Sequence, residues 1–348
     1  MTVEEFLKEW QSESPTVLVH TSGSTGEPKP MLVEKRRMEA SARVTCDFLG
    51  LRKGDTALLC LSTDYIAGKM MVVRSLVRGL RLICVEPSGH PLAMSVSTQR
   101  GQSLCNPLCS SHEGQSPERI DFAAMVPMQV YNSLKDPVER ERLMQIRHLI
   151  IGGGAVDESL AAELKDFPNA VWSTYGMTET LSHIALRRLS GDDATEWYTP
   201  FDGVTLSLTA DHCLVIDAPA VHDGPLVTND IAELRSPSSP NSSTTRHAPQ
   251  FRILGRKDNV ICSGGIKIQA EEVERLLQPL MRVPFLITRS RDERLGEAVV
   301  LLTEGSEDEA RAVCERVLPR YWRPRHIVHV ERLPRTATGK PLRRLYET

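Results

Sequence analysis

Apolar and polar positions along the chain fall into two rhythms. As far as Tyr198, short apolar runs alternate with amphipathic stretches. Residues 17–20 (VLVH) form an apolar strand that breaks into a Gly/Ser/Thr loop, and a basic segment at 35–50 has helical spacing. Runs at 57–61, 82–86, 122–126, 148–151 and 170–172 read as strands, with helices at 68–79, 129–134 and 159–165 between them. This alternation predicts an α/β sheet that is largely parallel. Residues 88–118, rich in Ser, Gly, Pro and His, predict mixed strand and loop. Beyond Tyr198 the pattern shifts to short strands at 204–208, 213–216 and 231–234. The polar stretch 236–250 (SPSSPNSSTTRHAPQ) predicts a mobile loop. A compact βαβ-like piece closes the chain, with helices at 270–277 and 308–318 and strands at 284–287, 298–302 and 327–331. The expected organisation is a large α/β domain, 1–257, with mixed and largely parallel sheets, and a small α+β domain, 258–348.

Composition narrows the function classes. The chain has 348 residues, 41% of them hydrophobic, enough to bury a core in two domains. A net charge of -3 gives no electrostatic reason to expect nucleic acid or an acidic membrane as partner. No apolar stretch approaches the roughly 20 residues of a membrane helix. The amphipathic, acidic start MTVEEFLKEW lacks the pattern of a signal peptide. Eight cysteines are widely spaced; Cys105, Cys109 and His112 lack a second ligand pair and read as reduced thiols and a loop histidine of a cytoplasmic protein rather than a zinc site.

Four segments carry candidate chemistry. Thr21, Ser22, Gly23, Ser24, Thr25, Gly26 and Lys29 follow directly on a strand, where backbone N–H groups, hydroxyls and one cation can cradle phosphate; a flexible turn is the alternative. In Tyr175-Gly176-Met177-Thr178-Glu179-Thr180 the tyrosine can stack on a purine and the glutamate can hold Mg²⁺, against a plain strand-to-helix turn. Asp230 and Arg256 can bind ribose hydroxyls, or be a turn residue and a solvated charge. The segment 333–340 (LPRTATGK) presents Lys340 on a Thr- and Gly-bearing loop, or is a basic tail. Met70, Met71, Arg74 and Val77 share one face of the 68–79 helix, so Arg74 sits amid apolar residues, where burial is costly unless the charge is paired.

The order of these motifs resembles the adenylate-forming superfamily of acyl- and aryl-CoA ligases, luciferases and peptide-synthetase adenylation domains. The resemblance runs from Val17 to Lys340. It implies ATP, Mg²⁺ and coenzyme A as cofactor and co-substrates and a small-molecule carboxylic acid as substrate. It implies a phosphate loop at 21–29, an adenine-lining loop at Gly152, Gly153 and Gly154 beside Tyr175 and Gly176, and a phosphate contact at Thr178. It further implies Mg²⁺ on Glu179, ribose on Asp230 and Arg256, a hinge at Asp258 for a mobile C-terminal lid, catalysis by Lys340, and pantetheine along Ser263, Gly264 and Gly265. Residues 124–129 (AMVPMQ) and 263–274 (SGGIKIQAEEVE) are similar to the 2-succinylbenzoate–CoA ligase family of menaquinone biosynthesis. That likeness implies Arg74 beside the acid's second carboxylate, with Lys69, Tyr65 and His183 as lesser acyl-pocket candidates; a structural ion pair with a protein acid is the alternative for Arg74. The phosphate loop begins near residue 21, so the resemblance also implies that much of the first subdomain is missing and that a homodimer covers the exposed surface. Another aryl- or acyl-CoA ligase, a carrier-protein adenylation enzyme and a non-catalytic nucleotide-binding regulator remain open.

Overall fold

The computed structural model describes residues 1–20, 30–93, 119–236, 249–335 and 341–347. They pack as two compact units: Met1–Thr205 with Asp217–Leu226 and Ser236–Gln250, and Leu206–Ile216 with Val227–Arg235 and Phe251–Thr348.

The first unit opens with α1 (Val3–Gln11), started by a capping box in which Thr2 and Glu5 satisfy each other's backbone N–H. Strands β1 (Thr16–His20) and β2 (Pro30–Glu34) form an antiparallel hairpin in which His20 faces Pro30. There follow α2 (Lys35–Phe48), β3 (Thr56–Leu59), α3 (Ile66–Arg78), β4 (Arg81–Cys84) and β5 (Phe122–Met125). Next come α4 (Pro127–Lys135), α5 (Pro137–Gln145), β6 (His148–Ile151), α6 (Glu158–Lys165), β7 (Ala170–Gly176), β8 (His183–Arg188) and β9 (Thr199–Pro200). The seven-stranded sheet runs β4-β3-β5-β6-β7-β8-β9. Its first five strands are parallel, and β8 and β9 add on antiparallel. Strands β3 and β5 are buried along their whole length, as parallel strands covered on both faces should be. Leu58, Met125, Leu149, Ile151 and Val171 meet Leu143, Leu160 and Leu164 of the helices in one core.

Two features lie outside the sequence reading or go against one of its alternatives. Helix α5 was not anticipated, because PVERERLMQ buries only Glu139 and Leu143 and shows no apolar stripe. Its signal was the start instead: Asp136 accepts from the N–H groups of Val138 and Glu139, ahead of Pro137 in the first turn. The segment after Tyr175 does not turn into a helix. Strand β7 runs on through Gly176, and the chain doubles back into β8. At Gly176 a Cβ would lie 2.2 Å from the Ser182 carbonyl oxygen, so only glycine lets the returning strand approach.

The second unit holds a four-stranded sheet of β10 (Thr205–Leu208), β11 (Cys213–Asp217), β12 (Leu226–Arg235) and β13 (Gln250–Arg256), in that order. A six-stranded sheet follows, from β14 (Val260–Ser263), β15 (Ile266–Gln269), β16 (Phe285–Asp292), β17 (Gly296–Thr303), β18 (His326–His329) and β19 (Leu345–Tyr346). Helices α7 (Ala270–Leu277) and α8 (Glu307–Val317) bury Val273, Leu277, Ala310 and Cys314 against Ile261, Ile287, Val299 and Leu301. The unit is α+β as expected. Its central pair, β16 with β17, is antiparallel, so the expected βαβ-like pattern survives only in the parallel additions of β18 and β19. No helix among the described residues is long and apolar enough to cross a membrane. The residues at 94–118 (Cys105, Cys109 and His112 included) and most of the polar 236–250 stretch lie outside the described residues.

Helix α3 carries Arg74, and its seat depends on Gly68, where a Cβ would stand 2.2 Å from the Ser62 carbonyl oxygen and 2.9 Å from the Thr63 nitrogen. Backbone cannot step aside as a flexible side chain does. Gly68→Ala is expected to cost about 1–3 kcal/mol in urea unfolding. Wild-type stability in that variant would show that residues 62–64 yield freely.

Candidate functional site

The parallel strands point their C-terminal ends at one edge of the sheet, where α/β sheets bind ligands. Strand β6 leaves that edge through Gly152, Gly153 and Gly154. Gly152 donates its N–H to the Met125 carbonyl at 3.0 Å, and a Cβ on it would meet the Thr174 hydroxyl at 2.4 Å. Gly153 has φ +77°, a left-handed turn natural to glycine. The glycine loop is thus pressed against the end of β7, which carries Tyr175. The Tyr175 ring stands 5.8 Å from Tyr198, whose hydroxyl bonds Ser173 at 2.9 Å. Gln129 ties three loops of this edge together. Its buried amide donates to the carbonyls of Cys60 (3.1 Å) and Ser88 (2.9 Å), and its oxygen accepts the Val126 N–H (3.1 Å).

Thr178 is buried and Glu179 exposed in the turn between β7 and β8. The turn is fixed by Thr180, whose hydroxyl accepts the Met177 N–H at 3.1 Å, and by Leu181, a buried residue with φ +64°. A left-handed leucine is strained, and such strain clusters at functional sites. It aims the next side chain, Ser182, at Arg74.

Arg74 is 2% exposed. It donates to the Ser182 hydroxyl at 2.7 Å and lies 3.9 Å from the Met71 sulfur, while its Nε has no partner. Among the described residues no carboxylate comes within ion-pair distance of it. Burial pushes its pKa down to about 10, with only the Cys46 thiol opposing, so it remains charged at neutral pH. The alternative of a structural ion pair therefore finds no acid among the described residues. His183 is buried beside it, with Nδ1 3.1 Å from the Ser182 hydroxyl and Nε2 3.1 Å from that of Thr45. Burial first, then the Arg74 charge, hold the His183 pKa well below the usual imidazole value. Both ring nitrogens of His183 are thus occupied. Lys69 is likewise 2% exposed and donates to the Leu18 carbonyl on β1, 5.4 Å from the Phe6 ring centroid. Tyr65 is exposed at the N-cap of α3.

In the second unit Arg256 spans two carboxylates, Asp230 at 3.0 Å and Asp258 at 2.9 Å, and Asn229 reaches Asp258 at 3.3 Å. Asp230 receives support at its own N–H from the Thr228 hydroxyl at 3.1 Å. Ser263, Gly264 and Gly265 end β14 in a two-residue turn with φ +58° and +83° at the glycines, the geometry of a tight hairpin. The Thr21, Ser22, Gly23, Ser24, Thr25, Gly26 and Lys29 loop and Lys340 lie outside the described residues. Their flanks are fixed by the facing pairs His20–Pro30 and Arg335–Pro341. No cluster of three metal-ligating side chains occurs among the described residues. Glu179 as a single carboxylate fits Mg²⁺, which keeps waters and takes substrate phosphates as its remaining ligands. Sequence reasoning missed Ser182 and Thr45, since a serine after a buried leucine and a threonine inside a helix carry no pattern of their own.

Comparison with known proteins gives the family. The chain belongs to the AMP-binding enzyme family, whose description matches residues 3–219, with the AMP-binding enzyme C-terminal domain at 289–340. It is thereby a member of the adenylate-forming acyl-CoA ligase superfamily. The 2-succinylbenzoate–CoA ligase of Bacillus mycoides is 24% identical, over 98% of this chain and 72% of its own length. An acyl-CoA synthetase (AMP-forming)/AMP-acid ligase II-like protein from Dyadobacter fermentans is 30% identical, with TM-score 0.60 over 97% of this chain and 90% of that one. The fold is shared with O-succinylbenzoate coenzyme A synthetase from Bacillus subtilis in complex with ATP and magnesium ion, at TM-score 0.70 and 21% identity over 94% and 68% of the two chains.

The neutral burial of His183 has a pH consequence. Its folded pKa lies below the unfolded value of about 6.5, so the unfolded chain binds a proton that the folded site refuses. Stability is then full above about pH 6.5 and falls on acidification, by at most about 1.4 kcal/mol per pH unit for each such imidazole. His148, lowered to about 4 by burial first and then by Arg147 and Arg188, acts in the same direction from pH 6.5 to its own pKa. Urea midpoints are expected to drop between pH 7.5 and 5, and less so in His183→Gln. A flat wild-type profile would contradict neutral burial.

Proposed function

We propose that this ligase activates 2-succinylbenzoate with ATP and transfers the acyl group to coenzyme A, a step of menaquinone biosynthesis. The observation that carries the substrate assignment is Arg74: a buried guanidinium with an unpartnered Nε and no protein carboxylate among the described residues. Such a charge is costly unless an anion arrives to pair with it. A dicarboxylic acid supplies one carboxylate for that pairing and keeps the other for reaction. The names of the Bacillus relatives support the same acid.

The reaction runs in two steps. An oxygen of the acid attacks the α-phosphorus of ATP, the bond to the β-phosphate oxygen breaks, and pyrophosphate leaves. Lys340 and the 21–29 loop stabilise the charge that develops on the phosphate oxygens. Tyr175 and the Gly152, Gly153 and Gly154 loop hold adenine, Thr178 contacts phosphate, and Asp230 with Arg256 binds ribose. Glu179 would hold Mg²⁺, which offsets phosphate charge when bound. In the second step the coenzyme A sulfur, having lost its proton, attacks the acyl carbon and AMP departs. Ser263, Gly264 and Gly265 flank the pantetheine, and Asp258 is the hinge about which the C-terminal lid changes role between the steps.

Pyrophosphate release with ATP, Mg²⁺ and 2-succinylbenzoate tests the substrate. Wild type is expected to turn over, and Arg74→Ala to lose about 100-fold in kcat/KM, roughly 3 kcal/mol of carboxylate binding. No release from wild type would reject this acid. For the division of labour, Lys340→Ala should lose acyl-AMP formation yet still convert supplied acyl-AMP to thioester; equal loss in both half-reactions would sink it.

A further inference from the structure

The hydrogen bonds around Arg74 can be followed to their end, and they have a direction. The Thr45 hydroxyl donates to the Ser41 carbonyl one turn back in α2, at 3.1 Å. Its hydrogen is thereby used, so toward His183 Nε2 it acts as acceptor and Nε2 carries the imidazole proton. Nδ1 is left with a lone pair, which takes the Ser182 hydroxyl hydrogen at 3.1 Å. The Ser182 oxygen is then free to accept from Arg74 at 2.7 Å. Each hydroxyl and ring hydrogen in this assignment is used once. Thr45, Ser182 and His183 are buried or half-buried, and Phe201 closes over the His183 ring at 5.5 Å.

We infer that Thr45 and His183 are positioning residues: with Ser182 they form a neutral one-way relay that aims Arg74 without neutralising it, and so set the enzyme's preference for a dicarboxylic acid. This rests on the reading of Arg74 given above and adds to it the groups that make the arginine selective. A carboxylate in place of Ser182 would hold the guanidinium as firmly, but it would also cancel the charge and compete with the substrate. Three neutral groups in series fix the orientation and leave the charge uncompensated. The relay works only with His183 neutral and protonated on Nε2. The Thr45 acceptor enforces that tautomer, since a ring proton on Nδ1 would meet the Ser182 hydroxyl instead of a lone pair.

The relay is tested on the full-length protein in two ways. Nitrogen-15 NMR of the ligand-free enzyme is expected to show His183 as the neutral Nε2–H tautomer from pH 7.5 to 5.5. In Thr45→Val, which keeps the shape of the side chain and removes the acceptor, that signature is expected to be lost, and Thr45→Ser should restore it. An imidazole that titrates in the ordinary range, or the opposite tautomer in wild type, would overturn the inference whatever the substrate proves to be. The kinetic arm compares 2-succinylbenzoate with its two monocarboxylate analogues, 4-oxo-4-phenylbutanoate and 2-butanoylbenzoate. Thr45→Val should raise KM for the diacid about tenfold and leave KM for ATP and for whichever monocarboxylate is turned over unchanged. In an Arg74→Ala background the same substitution should have no further effect. A KM rise shared by diacid and monoacid, or one that persists without Arg74, would reduce Thr45 to a structural residue and overturn the inference. If Arg74→Ala costs the diacid its advantage while Thr45→Val does not, the relay falls and the substrate reading stands. If Arg74→Ala changes nothing, both fall.

Discussion

Burying a guanidinium at Arg74, with no counter-charge among the described residues, is the constraint around which the first unit is arranged. Taking such an ion out of water costs several kcal/mol even after the surroundings relax. What the protein returns is small: one charge-assisted hydrogen bond to Ser182, worth about 1.5–3 kcal/mol, and a long contact of Nη1 with the Met71 sulfur. The downward shift of its pKa to about 10 is the same deficit seen as a proton equilibrium. The deficit is tolerable because α3 is clamped on both sides. Gly68 lets its first turn press on residues 62–63, and Lys69 ties the helix to β1 through the Leu18 carbonyl. A helix free to slide would carry the arginine out to water.

The same edge of the sheet gathers the other chemistry for a topological reason. Parallel strands β5, β6 and β7 all end on one side, so the segments that follow them are neighbours in space though far apart in sequence. Gln129 joins the segments after β3, β4 and β5, and the close approach at Gly152 joins β6 to β7. Glycine is required at these contacts by distance rather than by flexibility. At Gly152 and Gly176 a single methyl group would overlap a hydroxyl or a carbonyl oxygen. A site built this way is stiff where the loops leave the strands, which is what oriented phosphate chemistry needs.

Much of this was legible because period and punctuation agreed. The apolar run at 148–151 and the amphipathic stretch at 270–277 became β6 and α7 with unchanged bounds, the first ending at a run of glycines and the second just before Pro279. Arg74 stood out because one charge interrupts an otherwise apolar helical face, and burial followed from its neighbours. What escaped was decided by tertiary contact. Residues 177–182 carry helix-compatible side chains, yet Thr180 and the left-handed Leu181 commit them to a turn, and no local propensity announces a left-handed leucine. Helix α5 escaped because its burial is confined to Glu139 and Leu143. The surroundings of His183 escaped as well, because the hydroxyls that hold it come from Thr45 on α2 and from the turn at Ser182. Only its two hydroxyl partners reveal a buried neutral ring.

Those two partners also explain how Arg74 is held through hydroxyls and an imidazole. An ion pair within the protein would be the cheaper way to stabilise a buried arginine, and removing either partner of such a pair is strongly destabilising. Among the described residues the charge instead faces one neutral oxygen acceptor, the Ser182 hydroxyl, whose chain of partners ends at the Ser41 carbonyl of α2. Orientation and neutralisation are thereby separated. Orientation is supplied permanently by the fold, whereas neutralisation is left to a ligand. On the proposed reading, the free energy withheld from the stability of the empty protein becomes binding energy for an acid that brings a second negative charge.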